Sequence, residues 1–307
     1  MTDKLKQGEV ETWASETVGW WRISQLDNDL DIGTSEGKAS RRKALSRLAQ
    51  AGKLEKHPHE EGKYRFVRTE IRKLDPKANP NAVLSLNWPK DIETEEHFAL
   101  ENIKVYPKSV IVCAGVSNQC KTAFLLNFLV ENMENHHCVY ITNELGDEEF
   151  VDRLSAFDWV ECTNGTGEWK FDAIEHFDNH QDIIQSDAIN IIDYLDPGEN
   201  PYFIGVLIDQ IRKKLNKGIA VVAVQKGITT WQDKDGKKHF SYREYGTGGQ
   251  YSEHRARLVL HFDPTGEAMR RYLLTIKKSK VANMTGRKFK FDLRGGSRLT
   301  DIEEVME

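Results

Sequence analysis

The sequence predicts an α/β fold with a mainly parallel sheet, preceded by a small separate domain. Short apolar, β-branched runs alternate with helical patterns between residues 109 and 224, as strands alternate with crossover helices. The first run leads through a glycine-containing loop straight into a helix. A Pro- and Asn-rich stretch at residues 74–87 separates this region from an N-terminal segment with helical patterns of its own. We expect an N-terminal domain over residues 1–70, a linker over 71–94, a core over 95–298 and an acidic C-terminal tail over 299–307.

Length and charge limit the classes of function. The 307 residues suffice for two domains with substantial cores, and the net charge of −5 excludes a generally basic nucleic-acid coat. No apolar run approaches the roughly 18 residues of a membrane span, and the N-terminus has no signal-peptide core. The cysteines lack paired metal-ligand spacing, as expected of reduced thiols. A cytoplasmic protein without a membrane partner is predicted.

A phosphate-binding loop is the most informative motif of the core. The pattern is Gly, four residues, Gly, Lys and Ser or Thr; Gly115, Lys121 and Thr122 hold their places, but Cys120 replaces the second glycine. In such a loop backbone N–H groups hold phosphate oxygens, the lysine reaches the β- and γ-phosphates, and the hydroxyl holds Mg²⁺. The residues predicted to bind ATP are Gly115, Asn118, Gln119, Cys120, Lys121 and Thr122.

The cysteine leaves two outcomes open. A Cβ at residue 120 can crowd backbone that must approach phosphate closely, which favours weak or absent hydrolysis. The retained Lys121 and Thr122 favour a working site. A thiol at a helix N-terminus beside a lysine is also expected to have a lowered pKa, which would make it a redox switch; a tolerated small residue is the simpler interpretation.

Two carboxylates follow later strands of the core. Glu144 ends the run that starts at Cys138, and Asp193 ends a short run that starts at residue 187. Since ligands bind at the carboxyl ends of parallel strands, Glu144 is predicted to orient the attacking water and Asp193 to hold Mg²⁺. An acidic residue at the end of a strand commonly marks only the point at which the chain reaches solvent. The prediction therefore depends on the phosphate-binding loop, Glu144 and Asp193 occurring together in this order.

The polar segment at residues 226–257 interrupts the alternation. It is rich in glycine, lysine and aromatic residues and is too long for an ordinary connection in a compact domain. Rings and positive charges interleave in it, a pattern that suits the bases and phosphates of a single strand. A disordered surface hairpin without a ligand is the alternative. The basic residues predicted to bind DNA here are Lys226, Lys234, Lys237, Lys238 and Arg243.

With these features, residues 95–298 resemble the RecA/DnaB superfamily of P-loop ATPases, closest in layout to RecA-type recombinases and their phage or mobile-element relatives. In that family a strand ending in Gln leads into a mobile DNA-binding loop that closes with Thr-Gly-Gly, and Gln225 and residues 247–249 match. A later Lys-x-Lys reaches the neighbouring subunit's ATP site, and Lys278 and Lys280 match.

The resemblance implies a homo-oligomer, ring or filament, with ATP between subunits. It implies that Gln225 links the γ-phosphate to the DNA loop and that Lys278 and Lys280 act in trans. It adds Thr247, Gly248 and Gly249 to the predicted DNA-binding residues.

Residues 9–68 have the pattern of a winged helix. Helices are expected at residues 9–16, 23–30 (opened by Ser24) and 37–51, followed by a hairpin at residues 54–57 and 63–68. Basic residues crowd the third helix, where a helix-turn-helix protein contacts the groove and phosphates of a duplex. A solvated basic face and a protein–protein module are the alternatives. The predicted contacts are Lys38, Arg41, Arg42, Lys43 and Arg47.

Three functions follow. The leading hypothesis is a DNA-associated ATPase that acts in recombination, annealing or replication, binding single strands through its core and duplex through its N-terminal domain. A catalytically weak or inactive regulator that uses the nucleotide fold as a scaffold is the second. A DnaB-like hexameric helicase is the third, and the lack of a recognisable helical N-terminal collar argues against it.

Overall fold

The computed structural model describes residues 7–17, 19–69, 73–232, 238–265 and 271–305. The chain forms two compact units, Met1–Ala78 and Asn79–Glu307. The second half of the predicted linker belongs to the second unit. The Leu84 N–H donates to the Val105 carbonyl (2.8 Å), and Trp88 and Asp91 are buried. Apolar side chains in this stretch therefore pack on the core instead of spacing two domains.

The first unit contains three helices and a three-stranded antiparallel sheet of order β1-β3-β2. Thr34 caps the third helix by accepting from the Gly37 N–H (3.1 Å), whereas the second helix is preceded by Arg22, so the predicted Ser24 cap is wrong. Trp21, Leu26, Leu45 and Leu48 fill its core. The elements are α1 Gln7–Glu16, β1 Trp21–Arg22, α2 Ile23–Asp29, α3 Ser35–Gln50, β2 Leu54–Lys56 and β3 Lys63–Phe66.

The second unit is a large mixed sheet with helices on both faces. Its helices are α4 Lys121–Asn132, α5 Asp147–Ser155 and α6 Ile204–Lys214. Its strands are β4 Val110–Gly115, β5 Cys138–Thr142, β6 Asp172–Glu175, β7 Ile189–Asp193, β8 Ile219–Gln232, β9 Lys238–Gly246, β10 Leu258–Pro264, β11 Arg271–Lys278, β12 Lys288–Arg294 and β13 Arg298–Glu304.

The sheet order is β13-β12-β11-β10-β4-β8-β7-β5-β6. The strands from β10 to β6 run parallel, and β11, β12 and β13 extend that sheet as antiparallel neighbours. All six residues of β4 are buried, as a central parallel strand requires. Alternate residues of β4 pack with α4 and with α6, so these helices cover opposite faces. The predicted α/β class with a mainly parallel sheet is confirmed.

Two segments predicted as irregular are strands. Residues after Gln225 continue β8, which pairs antiparallel with β9 from Lys226↔Gly246 to Gln232↔Lys238, because β-branched and aromatic residues there favour pairing over a loose loop. The predicted acidic tail is also wrong over residues 299–304, which belong to β13 (Arg298–Glu304) and include the buried Leu299 and Ile302. In the described ranges, no helix has the length and apolar character needed to cross a bilayer.

Candidate functional site

The loop after β4 and the ends of three other parallel strands surround one cavity of about 290 Å³. Carboxyl ends of parallel strands meet at one edge of a sheet, which is why residues far apart in the sequence converge here. Tyr272 of β11, Arg153 of α5 and Gly296 complete the wall. The predicted residues that line the cavity are Asn118, Gln119, Cys120, Lys121, Thr122, Glu144, Asp193 and Gln225.

Gly115 closes β4 without lining the cavity. A Cβ on it would lie 2.6 Å from the carbonyl oxygen of Phe262, the residue with which it pairs on β10. Contacts that short do not occur without a shift of backbone. The first glycine of the motif is therefore needed for close approach of β10 to β4, and its contribution to ligand binding is through the shape of the loop.

Lys121 lies inside the loop. Its Nζ donates to the Val116 carbonyl (2.8 Å), and the side chain is buried. Burial lowers its pKa, against the opposing influence of the Asp193 and Glu144 carboxylates. A largely desolvated ammonium at the first turn of α4 attracts anions strongly, because the helix N-terminus adds its own unpaired N–H groups.

Cys120 adopts a left-handed backbone conformation, which glycine takes without strain. Its φ is +57°, in the left-handed region, which costs a non-glycine residue about 1 kcal/mol. Its side chain is buried in the same cluster as Phe124, and it shares a hydrogen bond with Tyr272. The fold thus accommodates the cysteine at a conformational cost, with its side chain packed inward.

The expected lowered pKa of this thiol is wrong. Burial raises the pKa of Cys120 to about 12, outweighing the Tyr272 hydrogen bond and the Lys121 charge. Desolvation destabilises the thiolate here by more than the helix N-terminus stabilises it. A redox switch that depends on a reactive Cys120 thiolate is not supported.

Cys120 should therefore resist alkylation in the folded protein. At pH 8 a thiol with a pKa of about 12 is thiolate only about one part in ten thousand, far below an exposed cysteine. Iodoacetamide labelling with peptide mass mapping, native against urea-unfolded, measures this. Rapid labelling of Cys120 in the native sample at pH 8 would contradict the burial argument.

Asp193 is held at the wall of the cavity by hydroxyl groups. Tyr140 Oη donates to its Oδ2 (2.7 Å), and the Thr122 hydroxyl also bonds to it. Burial raises the pKa of Asp193, and these two hydrogen bonds oppose that shift. The Asn143 side chain accepts from the Tyr194 N–H (3.1 Å), which fixes the backbone just past the carboxylate. Tyr140 and Asn143 were not predicted from the sequence, since nothing in their spacing marks them.

The donor set fits Mg²⁺ in combination with a phosphate. Thr122 and Asp193 supply the hard oxygen atoms that this ion prefers. Among the described residues, no cluster of three His, Cys, Asp or Glu side chains is close enough to hold a metal. A magnesium ion here would therefore take its remaining ligands from phosphate oxygens and water, which is usual for nucleotide sites.

Glu144 stands at the tip of β5, exposed and facing the same cavity. The Thr142 hydroxyl accepts from the Glu144 and Leu145 N–H groups (3.2 Å each) and so fixes the turn. Desolvation and the nearby Asp193 raise the pKa of Glu144, while Lys121 opposes the shift. A carboxylate with a raised pKa is suited to receiving a proton from water.

Gln225 is tied to the residue that follows β9, at the base of the β8–β9 hairpin. The backbone N–H and hydroxyl of Thr247 both donate to the Gln225 carbonyl (2.7 and 2.8 Å). Gly248 has φ +82°, and a Cβ on it would lie 2.3 Å from the Pro201 carbonyl. The residues predicted as the end of a DNA-binding loop thus close the hairpin and hold it beside the cavity.

Lys278 and Lys280 lie at the opposite edge of the sheet from this cavity. Lys278 pairs with Val259 on β10, whose partner on β4 is Val112, whereas the loop begins at Gly115. Lys278 Nζ donates to the carbonyls of Glu253 (2.7 Å) and His254 (3.3 Å). Neither lysine reaches the cavity of its own subunit.

Lys226 is not a surface residue, and its predicted contact with DNA is wrong. Its side chain is 3% exposed, and Nζ lies 2.6 Å from Asp263 Oδ1 and 3.5 Å from His261 Nδ1. His261 Nε2 in turn lies 2.8 Å from Glu253 Oε1. These four residues form a buried polar network that joins β8, β10 and the turn after the hairpin. Charge in the sequence did not reveal it, because the partners are remote in the chain.

The network makes Asp263→Asn a destabilising change. It leaves the buried Lys226 without its carboxylate, at a cost of about 2–3 kcal/mol. Lys226→Met should cost less, because Asp263 is 23% exposed and can be hydrated. Urea unfolding measures both. Asp301→Asn is the matched control, since its pair with Arg294 is exposed, and a loss for Asp263→Asn no larger than for this control would contradict the argument.

Four of the five basic residues predicted on the third helix are exposed, and one is not. Arg41 is buried and forms an ion pair with Asp27 of α2, so its predicted DNA contact is wrong. Arg41 faces the core of the first unit, because it lies on the same face of α3 as the buried residues Ala44, Leu45 and Leu48. The exposed residues are Lys38, Arg42, Lys43 and Arg47.

Three predicted residues of the long segment remain without a described side chain. Lys234 and Lys237 lie outside the described residues, and of Lys238 only the backbone at the start of β9 is described. Arg243 is exposed on β9.

No family model matches the chain, and no curated protein matches it. Among solved structures, a KaiC-like protein from the hyperthermophilic archaeon Pyrococcus horikoshii OT3 is similar to it with a TM-score of 0.46 and 13% sequence identity. The similarity covers 63% of this chain and 90% of the archaeal chain. A match at this level assigns no activity.

Proposed function

We propose that this protein binds ATP with Mg²⁺ in the cavity at the carboxyl edge of its sheet and hydrolyses it. The observation that carries the proposal is the convergence of Lys121, Thr122, Glu144 and Asp193 on one cavity of about 290 Å³. Phosphoryl transfer to water requires a cation at a helix N-terminus, a hydroxyl, a buried acid and an exposed acid.

Each side chain has a distinct task. Lys121 would neutralise charge on the β- and γ-phosphates, and Thr122 and Asp193 would hold the metal. Bound Mg²⁺ supplies charge neutralisation between the phosphates. Glu144 orients the attacking water and accepts its proton, for which its raised pKa is suited. Gln225 senses the occupied cavity at the root of the hairpin.

DNA association is the second part of the proposal. Trp231 is 47% and Tyr242 37% exposed on the β8–β9 hairpin, which also carries the exposed Arg243, so the hairpin offers stacking surfaces and charge to a single strand. The Thr247–Gln225 bonds link this hairpin to the cavity. We further propose that the first unit is a winged helix that contacts duplex DNA through Lys38, Arg42, Lys43 and Arg47.

Assembly into a homo-oligomer is the third part. Lys278 and Lys280 lie too far from their own cavity to act there, so a catalytic contribution from this face requires a second subunit. Ring and filament both satisfy this requirement. A role in recombination, annealing or replication is proposed from the combination of ATP turnover with single-strand binding.

ATP hydrolysis measured without DNA, with duplex and with single strands tests the proposal, and Lys121→Ala provides the blank. We expect turnover that single strands increase and that the blank lacks. A matched Trp231→Ala variant should keep the DNA-free rate and lose much of the stimulation. If all conditions equal the blank while duplex binding persists, the ATPase assignment fails and the protein is a scaffold.

A further inference from the structure

Buried polar atoms without a hydrogen-bond partner are concentrated in one short segment after β6. Nine such side-chain atoms occur in the described residues, and three of them are His176 Nε2, His180 Nε2 and Gln181 Oε1. Each buried polar atom left unpaired costs about 1–3 kcal/mol, so native proteins contain few of them. Three within residues 176–181 indicate a ligand that this segment is built to bind.

The segment is held in place by the core of the second unit. The His176 N–H donates to the Thr142 carbonyl at the end of β5 (2.8 Å). His180 begins a 3₁₀ turn, His180–Asp182, and is only 3% exposed. Ile183 and Ile184, which follow this turn, pack on the same apolar cluster as the buried residues of α6. Both rings are therefore positioned before any ligand arrives, which favours tight and specific binding.

The two imidazole rings are separated as two ligands of one metal ion would be. Their centroids lie 5.4 Å apart, and the ring planes meet at 86°. Two imidazoles bound through nitrogen to a tetrahedral ion, with metal–nitrogen bonds of about 2.0–2.1 Å, have centroids about 5 Å apart. The observed separation therefore agrees with one ion shared by His176 and His180.

The protonation state of His180 suits a metal ligand. Burial, together with the neighbouring His176, lowers the pKa of His180, so its ring is uncharged at pH 7. A neutral imidazole that carries its proton on Nδ1 presents the lone pair of Nε2 to the interior. Among the described residues, no hydrogen bond competes for the Nε2 atom of either ring.

The donor atoms select the class of ion. Imidazole nitrogen suits Zn²⁺, Cu²⁺ and Ni²⁺, whereas Mg²⁺ and Ca²⁺ take oxygen ligands. In the ranges that the structure describes, no third His, Cys, Asp or Glu lies close enough to complete a site with this pair. The remaining positions fall to the amide oxygen of Gln181 and to water. The ion is therefore of a different kind from the Mg²⁺ proposed at Thr122 and Asp193.

We propose that His176 and His180 bind one divalent transition-metal ion of the Zn²⁺ class, with Gln181 as a third ligand. The inference goes beyond the proposed ATPase function and does not depend on it. The bound ion joins the end of β6 to the following 3₁₀ turn and so stiffens this part of the sheet edge. The Thr142 hydroxyl, on the residue whose carbonyl holds His176, fixes the turn that carries Glu144.

Calorimetric titration of Zn²⁺ into the untagged, chelator-treated full-length protein tests the proposal. Excess Mg²⁺ in the buffer occupies sites made of oxygen atoms. We expect one Zn²⁺ per chain in the wild type and a loss of affinity of about 100-fold or more in His180→Ala. His254→Ala, which removes an exposed histidine of the same unit, is the matched control and should bind Zn²⁺ as the wild type does.

Two further measurements separate ligation from a folding defect. His176 is half-buried, so His176→Ala should disturb packing less than His180→Ala and still lose affinity about 100-fold or more. In the Cu²⁺-loaded protein, electron paramagnetic resonance reports bound nitrogen atoms through their hyperfine coupling. We expect two coupled nitrogens in the wild type and in His254→Ala, and at most one in each of the other single variants.

Two results would overturn the proposal. One is a Zn²⁺ affinity of both His176→Ala and His180→Ala equal to that of the wild type, which assigns the binding to other residues. The other is a wild type that binds no Zn²⁺, which means that the two rings satisfy each other through their edge-to-face contact. Neither result bears on ATP turnover, because the Lys121→Ala blank tests that function separately.

Discussion

Replacing Lys121 with alanine should weaken ATP binding by about 100-fold or more and, with it, remove measurable ATP turnover. The ammonium is buried in the loop, where its charge is poorly screened and where only a carbonyl and more distant carboxylates compensate it. Hydrogen bonds between charged groups contribute about 1.5–3 kcal/mol each, so loss of the lysine should weaken ATP binding by about 100-fold or more. Titration of a fluorescent ATP analogue into the full chain measures this.

Lys214→Ala is the matched control for that experiment. Lys214 is an exposed lysine at the end of α6, away from the cavity, and its removal changes net charge by the same amount. Its affinity for the nucleotide should equal that of the wild type. Near-wild-type affinity in Lys121→Ala would show that the loop does not hold the phosphates, and the function proposed for the cavity would fall.

The residues that carry the proposed chemistry of this cavity were predictable because each is marked locally. Glycine, lysine and threonine keep a fixed spacing after an apolar run, and Glu144 and Asp193 each end such a run. Parallel topology then brings strand ends together without further information from the sequence. Cys120 was ambiguous, because sequence alone does not tell whether a side chain in the left-handed region packs inward or obstructs the loop.

The fate of individual charged residues was not predictable in the same way. Arg41 and Lys226 look like surface cations in the sequence, yet each is buried against a carboxylate supplied by another element. Asp263 is 37 residues from Lys226. Contact over such a separation depends on the registers of β8 and β10 against β4, the strand between them, and local patterns do not specify these registers.

The β8–β9 hairpin shows the limit of composition as a guide. Glycine, lysine and aromatic residues suggested an irregular loop, but pairing of β-branched and aromatic residues across two strands extends β8 beyond the core sheet. The acidic composition of the C-terminal residues led to the wrong prediction of a tail for a related reason. Arg287 of the neighbouring region pairs with Glu304, so acidic residues there face cations on a sheet edge.

Glu144→Gln should keep ATP binding and lower turnover by about 10²–10⁴-fold. The amide preserves the size of the side chain and its hydrogen-bonding reach but does not accept a proton from water. Glu144 is exposed at the tip of β5, so the change should leave stability nearly unaltered. The nucleotide titration and a turnover assay, run on the same preparation, separate binding from chemistry. Glu148→Gln, an exposed acid in the first turn of α5, is the matched control.

The pH profile gives that assignment an independent test. Partial desolvation and the Asp193 charge raise the pKa of Glu144, so its carboxyl group becomes protonated at a higher pH than an ordinary glutamate does. Only the deprotonated form accepts a proton, and wild-type turnover should therefore fall as the pH drops through this raised pKa. The residual rate of Glu144→Gln should lack that acid limb. If the wild type and Glu144→Gln show equal rates, or the same acid limb, another group accepts the proton. Glu144 would then only line the cavity.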